Sequence, residues 1–148
     1  MSGPDLLTHW LSVVPYSVNL RYQLELPLET PSNNVIKGMH FLAYRQLRKS
    51  WQLLVRSALQ EKPVFAPLER SLLVISRECS GPGLDWDNAY GGLKPLLDCL
   101  VAPSRRNPDG LGLVLDDNLK AMPLAPLVFQ APAKPGAGRT LIDIYELT

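Results

Sequence analysis

The stretch Arg21-Tyr22-Gln23-Leu24-Glu25-Leu26 alternates polar and apolar residues without a break. Successive side chains of an extended chain point to opposite faces, so this run, continued to Leu28, predicts a strand with one buried face. Residues 1 to 20 carry Gly3, Pro4 and Pro15 and no clean period, and read as an extension of uncertain structure before a domain that begins near Arg21. After the strand, Glu29 to Gly38 holds Pro31, Ser32, Asn33, Asn34 and Gly38, which favour turns through local hydrogen bonds or positive φ, and predicts a loop. Leu47, Trp51, Leu54, Val55, Ala58 and Leu59 then recur at helical spacing between His40 and Gln60, with Arg45, Arg48, Lys49 and Arg56 mostly elsewhere around the axis. Pro63 and Pro67 close that helix, and Leu72-Leu73-Val74-Ile75 supplies a second strand within Ser71 to Arg77.

Downstream, Gly81-Pro82-Gly83 turns the chain into an acidic segment, and Leu93, Leu96, Leu97, Leu100 and Val101 form the stripe of a second helix. Pro95 is tolerated in a first helical turn, so the regular helix is expected after Gly91 and Asn88 to Gly92 is expected to be irregular. Ala102 to Gly112 reads as a surface loop, and Leu127 to Gln130 and Thr140 to Leu147 as two last strands around a Pro/Gly-rich connection. The order β-α-β-α-β-β is that of a small single α/β (α+β) domain with a mixed β-sheet and two main helices.

Composition narrows the function classes. At 148 residues with 46% hydrophobic residues the chain can bury a real core. No run approaches the roughly 18 apolar residues of a membrane span, and the N-terminus lacks the pattern of a signal peptide, so no membrane partner and a cytoplasmic setting are expected. Cys79 and Cys99 fit reduced, packed thiols, and with two distant histidines they make no zinc spacing. A net charge of +1 means that any DNA surface must be local. Its candidates are Arg45, Arg48, Lys49 and Arg56 on the first helix, and Arg105-Arg106 in the loop.

Asp85-Trp86-Asp87-Asn88, Lys94, Asp98 and Asp116-Asp117 carry the chemistry. In an extended segment Asp85 and Asp87 would face one way, roughly 6.5 to 7 Å apart. Hard carboxylate oxygens suit magnesium, and metal ions about 3.5 to 4 Å apart clamp the attacking and leaving oxygens of a phosphoryl group. A phosphodiesterase is the resulting expectation. The bland alternatives are that Asn88 caps a helix, that Asp116 and Asp117 cap a short segment from Asn118 to Met122, and that Asp98 simply pairs with Lys94.

The combined pattern resembles the RusA-like Holliday junction resolvases. It matches their Asp-x-Asp-Asn string, their lysine followed four residues later by an aspartate, their Leu-Asp-Asp segment at Leu115-Asp116-Asp117, and an early Pro-Ser-Asn-Asn loop at Pro31 to Asn34. The resemblance spans about residues 21 to 147. It implies metal-binding carboxylates at Asp85, Asp87 and Asp117, a catalytic lysine at Lys94, Mg2+ as cofactor, and DNA contacts at Asn33, Asn34 and Asn88. Arg105 and Arg106, in the long loop, are the candidates to compensate for phosphate-binding arginines that this chain lacks before Asp85. The resemblance further implies a homodimer that cuts four-way DNA junctions, with the apolar stripe of either helix as the possible packing surface. Three extra residues separate Asn88 from Lys94, and Gly91 and Gly92 are expected to absorb them as a bulge. Gly81-Pro82-Gly83-Leu84 stands where the family can place arginines. Competing readings are a protein of the same fold that binds branched DNA or a phage partner without cutting, and an interaction module whose acidic segments are ordinary turns.

Overall fold

The alternation at Tyr22, Leu24 and Leu26 produces strand β1, Val18–Leu26, with those three side chains buried and Gln23 and Glu25 exposed. In the computed structural model, which describes residues 3–60, 62 and 64–148, β1 is preceded by helix α1, Gly3–Val13, and followed by α2, Asn33–Ile36. Next come α3, Phe41–Leu59, and strand β2, Ser71–Cys79. The rest of the chain is α4, Trp86–Gly91, α5, Lys94–Leu100, β3, Leu127–Pro132, and β4, Arg139–Leu147. The β-α-β-α-β-β backbone of the fold is thus present, an α+β domain built on a mixed four-stranded sheet.

The sheet is ordered β1-β4-β2-β3. Only β2 and β3 run parallel, while β4 is antiparallel to both β1 and β2. Inner strand β2 is apolar on both faces, which explains why its sequence reads as a continuous apolar run. Leu73 and Ile75 join Trp51, Val55 and Leu59 of α3 and Leu96 and Leu100 of α5 in the main core. Leu72, Val74 and Leu147 point to the opposite face, where Leu7, Trp10 and Leu11 of α1 pack over them. The N-terminal segment therefore contributes a helix that covers the second face of the sheet.

Several expectations change. The predicted loop from Glu29 to Gly38 contains α2, whose N-cap Ser32 accepts a hydrogen bond from Val35 N. The apolar stripes of α3 and α5, offered as a dimer surface, pack into the monomer core, with Trp51, Val55, Leu59, Leu96 and Leu100 buried and Leu47, Leu54, Ala58 and Leu97 half-buried. Arg48, grouped with the cations of a DNA surface, turns inward and donates to Asp109 at 2.8 Å, both side chains about 10% exposed. Cys79 and Cys99 are buried free thiols, and burial pushes the Cys99 thiol up to about 12. Among the described residues no helix is long and apolar enough to cross a membrane.

The Arg48–Asp109 pair ties α3 to the loop after α5. Breaking such a pair strands a buried charge, at a cost of about 3 to 5 kcal/mol. Asp109→Ala is expected to lower the urea midpoint accordingly, and Arg48→Met with Asp109→Leu to recover much of the loss; chemical denaturation measures both.

Candidate functional site

Arg77, buried in β2, donates to the carbonyl of Thr30 at 2.9 Å and pairs with Glu29 at 3.5 Å. A buried guanidinium needs such partners, and satisfying it pins the chain just before Pro31-Ser32-Asn33-Asn34 against the sheet. This anchored loop meets α4. Asn34 N donates to Asn88 Oδ1 at 3.2 Å, and Asn88 Nδ2 donates to Asp85 Oδ1 at 2.5 Å. A chain of polar contacts thereby links the early loop to the Asp-x-Asp-Asn string. Asp85 is the N-cap of α4, but its carboxylate makes no capping bond to the helix N–H groups.

The extended geometry expected for Asp85 to Asp87 is not present, because helix begins at Trp86 and places Asp87 in its first turn. Helical side chains two residues apart do not share a face, so the strand-like spacing does not hold. Asn88 to Gly92 is likewise not irregular: α4 runs to Gly91, Gly92 N bonds Asn88 O at 3.0 Å, and Leu93 N bonds Tyr90 O at 3.1 Å. The three extra residues are absorbed as helical turn. Neither glycine has positive φ, and what requires them is close approach. A Cβ on Gly91 would overlap the Asn33 side chain, and one on Gly92 would overlap the Pro31 carbonyl.

A second cluster forms at α5. Lys94 Nζ lies 3.6 Å from Asp98 Oδ2, so the i,i+4 pairing read as the bland alternative does exist. The same oxygen accepts from Tyr44 Oη at 2.5 Å, and Lys94 Nζ stands 5.9 Å from the Tyr44 ring centroid. Burial and then the Asp98 carboxylate hold the Tyr44 phenol well above its ordinary range, so Tyr44 stays a donor. Asn107 Nδ2 donates to the Asp98 carbonyl at 2.6 Å, and a Ser104–Asn107 turn presents the exposed Arg105 and Arg106. Neither arginine has an ion pair among the described residues.

Asp98, Ser104 and Asn107 line a cleft of about 380 Å³ together with Asp116 and Asp117. Asp116 accepts from Asp117 N and Asn118 Nδ2, both at 2.8 Å, while Asn118 Oδ1 accepts from Lys120 N and Ala121 N. The cap of this turn is therefore Asn118 and not either aspartate. Burial, the Asp116 hydrogen bond and charge, and the more distant Asp98 hold the Asp117 carboxyl above the usual aspartate range. Its proton binds the folded chain more tightly than the unfolded one. The stability this group contributes is complete below the ordinary aspartate value and is lost as pH rises through the raised one. In EDTA, Asp117→Asn is expected to melt above the wild type at about pH 8, with the gap closing toward about pH 3.5; calorimetry across pH checks this.

The site residues thus fall into two groups: Asn34, Asp85 and Asn88 on one side, and Lys94, Asp98, Asp116 and Asp117 on the other. The carboxylate oxygens are the donor type that magnesium prefers. As the side chains stand, however, no three His, Cys, Asp or Glu among the described residues come close enough to share an ion. Asp85, Asp87 and Asp117 are not gathered into one such group. Tyr44 and Asn107, which hold Asp98, gave no sequence signal, since each meets its partner only through tertiary packing. Comparison with protein-family models and with curated proteins finds no match to this chain.

Proposed function

We propose that this chain is a magnesium-dependent, structure-selective endodeoxyribonuclease of RusA-like type, which resolves four-way DNA junctions by phosphodiester hydrolysis in recombination or repair. The observation that carries the reading is the acidic cleft lined by Asp98, Asp116 and Asp117, with Lys94 on Asp98 and the exposed Arg105-Arg106 turn between its lining residues Ser104 and Asn107. The neighbouring Asp116 and Asp117 repel one another, a repulsion that a cation relieves, while unpaired arginines beside them favour a phosphate, and a phosphodiesterase needs both. The resemblance assigns the metal to Asp85, Asp87 and Asp117.

The chain's own residues have definable roles in this reading. Lys94 supplies a compact positive charge to the reacting phosphate, held in place by Asp98 and Tyr44. Asn88 orients Asp85, and Asn33 and Asn34 bring the early loop to the strand being cut. Arg105 and Arg106 grip flanking phosphates. A two-fold dimer acting in a bacterial or phage-infected cytoplasm would present two such sites to a roughly symmetric junction.

A second reading, junction binding without cutting, is favoured because Asp85, Asp87 and Asp117 are not gathered into a group of three among the described residues. A labelled synthetic four-way junction, with linear duplex as control and magnesium or EDTA added, separates the two. Paired symmetric nicks that require magnesium support the nuclease. Tight junction binding with intact strands supports the second reading, and neither binding nor cutting removes both.

A further inference from the structure

A cleft of about 780 Å³ lies beside the acidic one and shares Asp116 with it. That volume falls within the roughly 300 to 1,000 Å³ of small-ligand sites. Its walls come from three separate segments: Tyr16 after α1, Glu69 and Arg70 before β2, and Leu115 to Pro123 before β3. Backbone bonds fix these walls to the sheet, since Leu147 N donates to Arg70 O at 3.0 Å and Ser71 N to Ala121 O at 2.9 Å.

The cations of this cleft are uncommitted. Neither Arg70 nor Lys120 forms an ion pair among the described residues. The Arg70 guanidinium lies over the Tyr16 ring, 5.7 Å from its centroid. Stacking on a ring face orients a guanidinium without consuming its N–H donors, so the planar fork stays free for a bidentate acceptor such as a phosphodiester. Glu69 and Asp116 occupy the same cleft and make it unattractive to a bare anion. A carboxylate oxygen has more than one acceptor site, however, and the exocyclic amines of nucleobases are suitable donors.

We infer that this cleft is a subsite for a single DNA strand flanking the cut, with a phosphodiester held by Arg70 and Lys120 and a base edge meeting Glu69 or Asp116. The inference rests on the nuclease reading, because Asp116 places the subsite next to the proposed reacting phosphate. It gives a branched substrate a reason to be preferred, since an unpaired or splayed strand enters a cleft of this size more readily than a stacked duplex.

The test titrates ¹⁵N-labelled full-length protein, in EDTA, with a mixed-sequence single-stranded hexanucleotide, and in parallel with inorganic phosphate, while junction cutting is assayed separately in magnesium. Expected are shifts at the Arg70 Nε–H and the Lys120 amide, and an affinity loss of about tenfold in Arg70→Ala. Lys120→Ala should lower the salt slope of binding by about 0.7, the share of one phosphate contact to a single strand. Arg70→Lys, which keeps the charge but not the fork, should fall between. Hexanucleotide shifts confined to other surfaces, unchanged affinity in both alanine variants, or equal binding of inorganic phosphate would overturn the subsite. Junction cutting with no hexanucleotide contact at Arg70 would remove the subsite and leave the nuclease standing. Contact at Arg70 without any cutting would do the reverse.

Discussion

Replacing Asp87 by asparagine is expected to lower magnesium-dependent junction cleavage by about 10³-fold, the scale of losing one preorganised electrostatic contact at a reacting centre. The fold should barely notice. Asp87 is exposed in the first turn of α4, where its negative charge is worth at most about 1 kcal/mol against the helix dipole. Single-turnover cleavage beside thermal melting separates the two effects: a large rate loss at nearly constant melting temperature is expected. Equal losses in both would make Asp87 a structural residue, and no loss in either would remove it from the site.

The second large effect is structural. Gly92→Ala is expected to destabilise the domain by about 3 kcal/mol, because the new methyl group meets the Pro31 carbonyl, a backbone atom that cannot rotate away. For a chain of this size that lowers the melting temperature by roughly 6 to 12 °C. Gly81→Ala is the matched control, since a Cβ there meets nothing within 4 Å, and it should be nearly neutral. The comparison distinguishes tight packing of α4 on the Pro31 loop from a general intolerance of substituted glycines. Because that packing sets the Asn34–Asn88–Asp85 contacts, the junction-cleavage rate of Gly92→Ala is expected to fall as well.

Elements defined by repeating burial were readable directly. The period-2 run at Arg21 to Leu26 and the period-3.6 stripe through Trp51, Val55 and Leu59 appear as β1 and α3 because each presents one apolar face to one core. The acidic segment departs from its expected geometry because Asp and Asn are at home in turns, in extended chain and at helix starts alike, so Asp85 to Asn88 carries no period to choose between them. Gly91 and Gly92 suggested freedom of φ, whereas tertiary contact with Pro31 and Asn33 is what requires them. Arg48 looked like any solvated charge on a polar helix face until Asp109, far along the chain, supplied its buried partner.

The residue types of the site were legible and their grouping was not. Asp98 reads as a local partner of Lys94, yet it also receives Tyr44 and Asn107 and lines one cleft with Asp117. Those contacts join α3, α5 and two loops, and no local spacing encodes them. Similarly, the surface set aside as an N-terminal extension supplies α1 and Tyr16, which together cover one sheet face and wall the larger cleft.

The proposal turns on whether the two acidic segments act on one metal ion. Crystals grown with manganese in place of magnesium answer this directly, because its anomalous scattering locates the ion independently of the protein phases. The expected result is a peak with carboxylate ligands from both Asp85 or Asp87 and Asp117. A peak held by Asp98, Asp116 and Asp117 alone, or no peak on either segment, would contradict it.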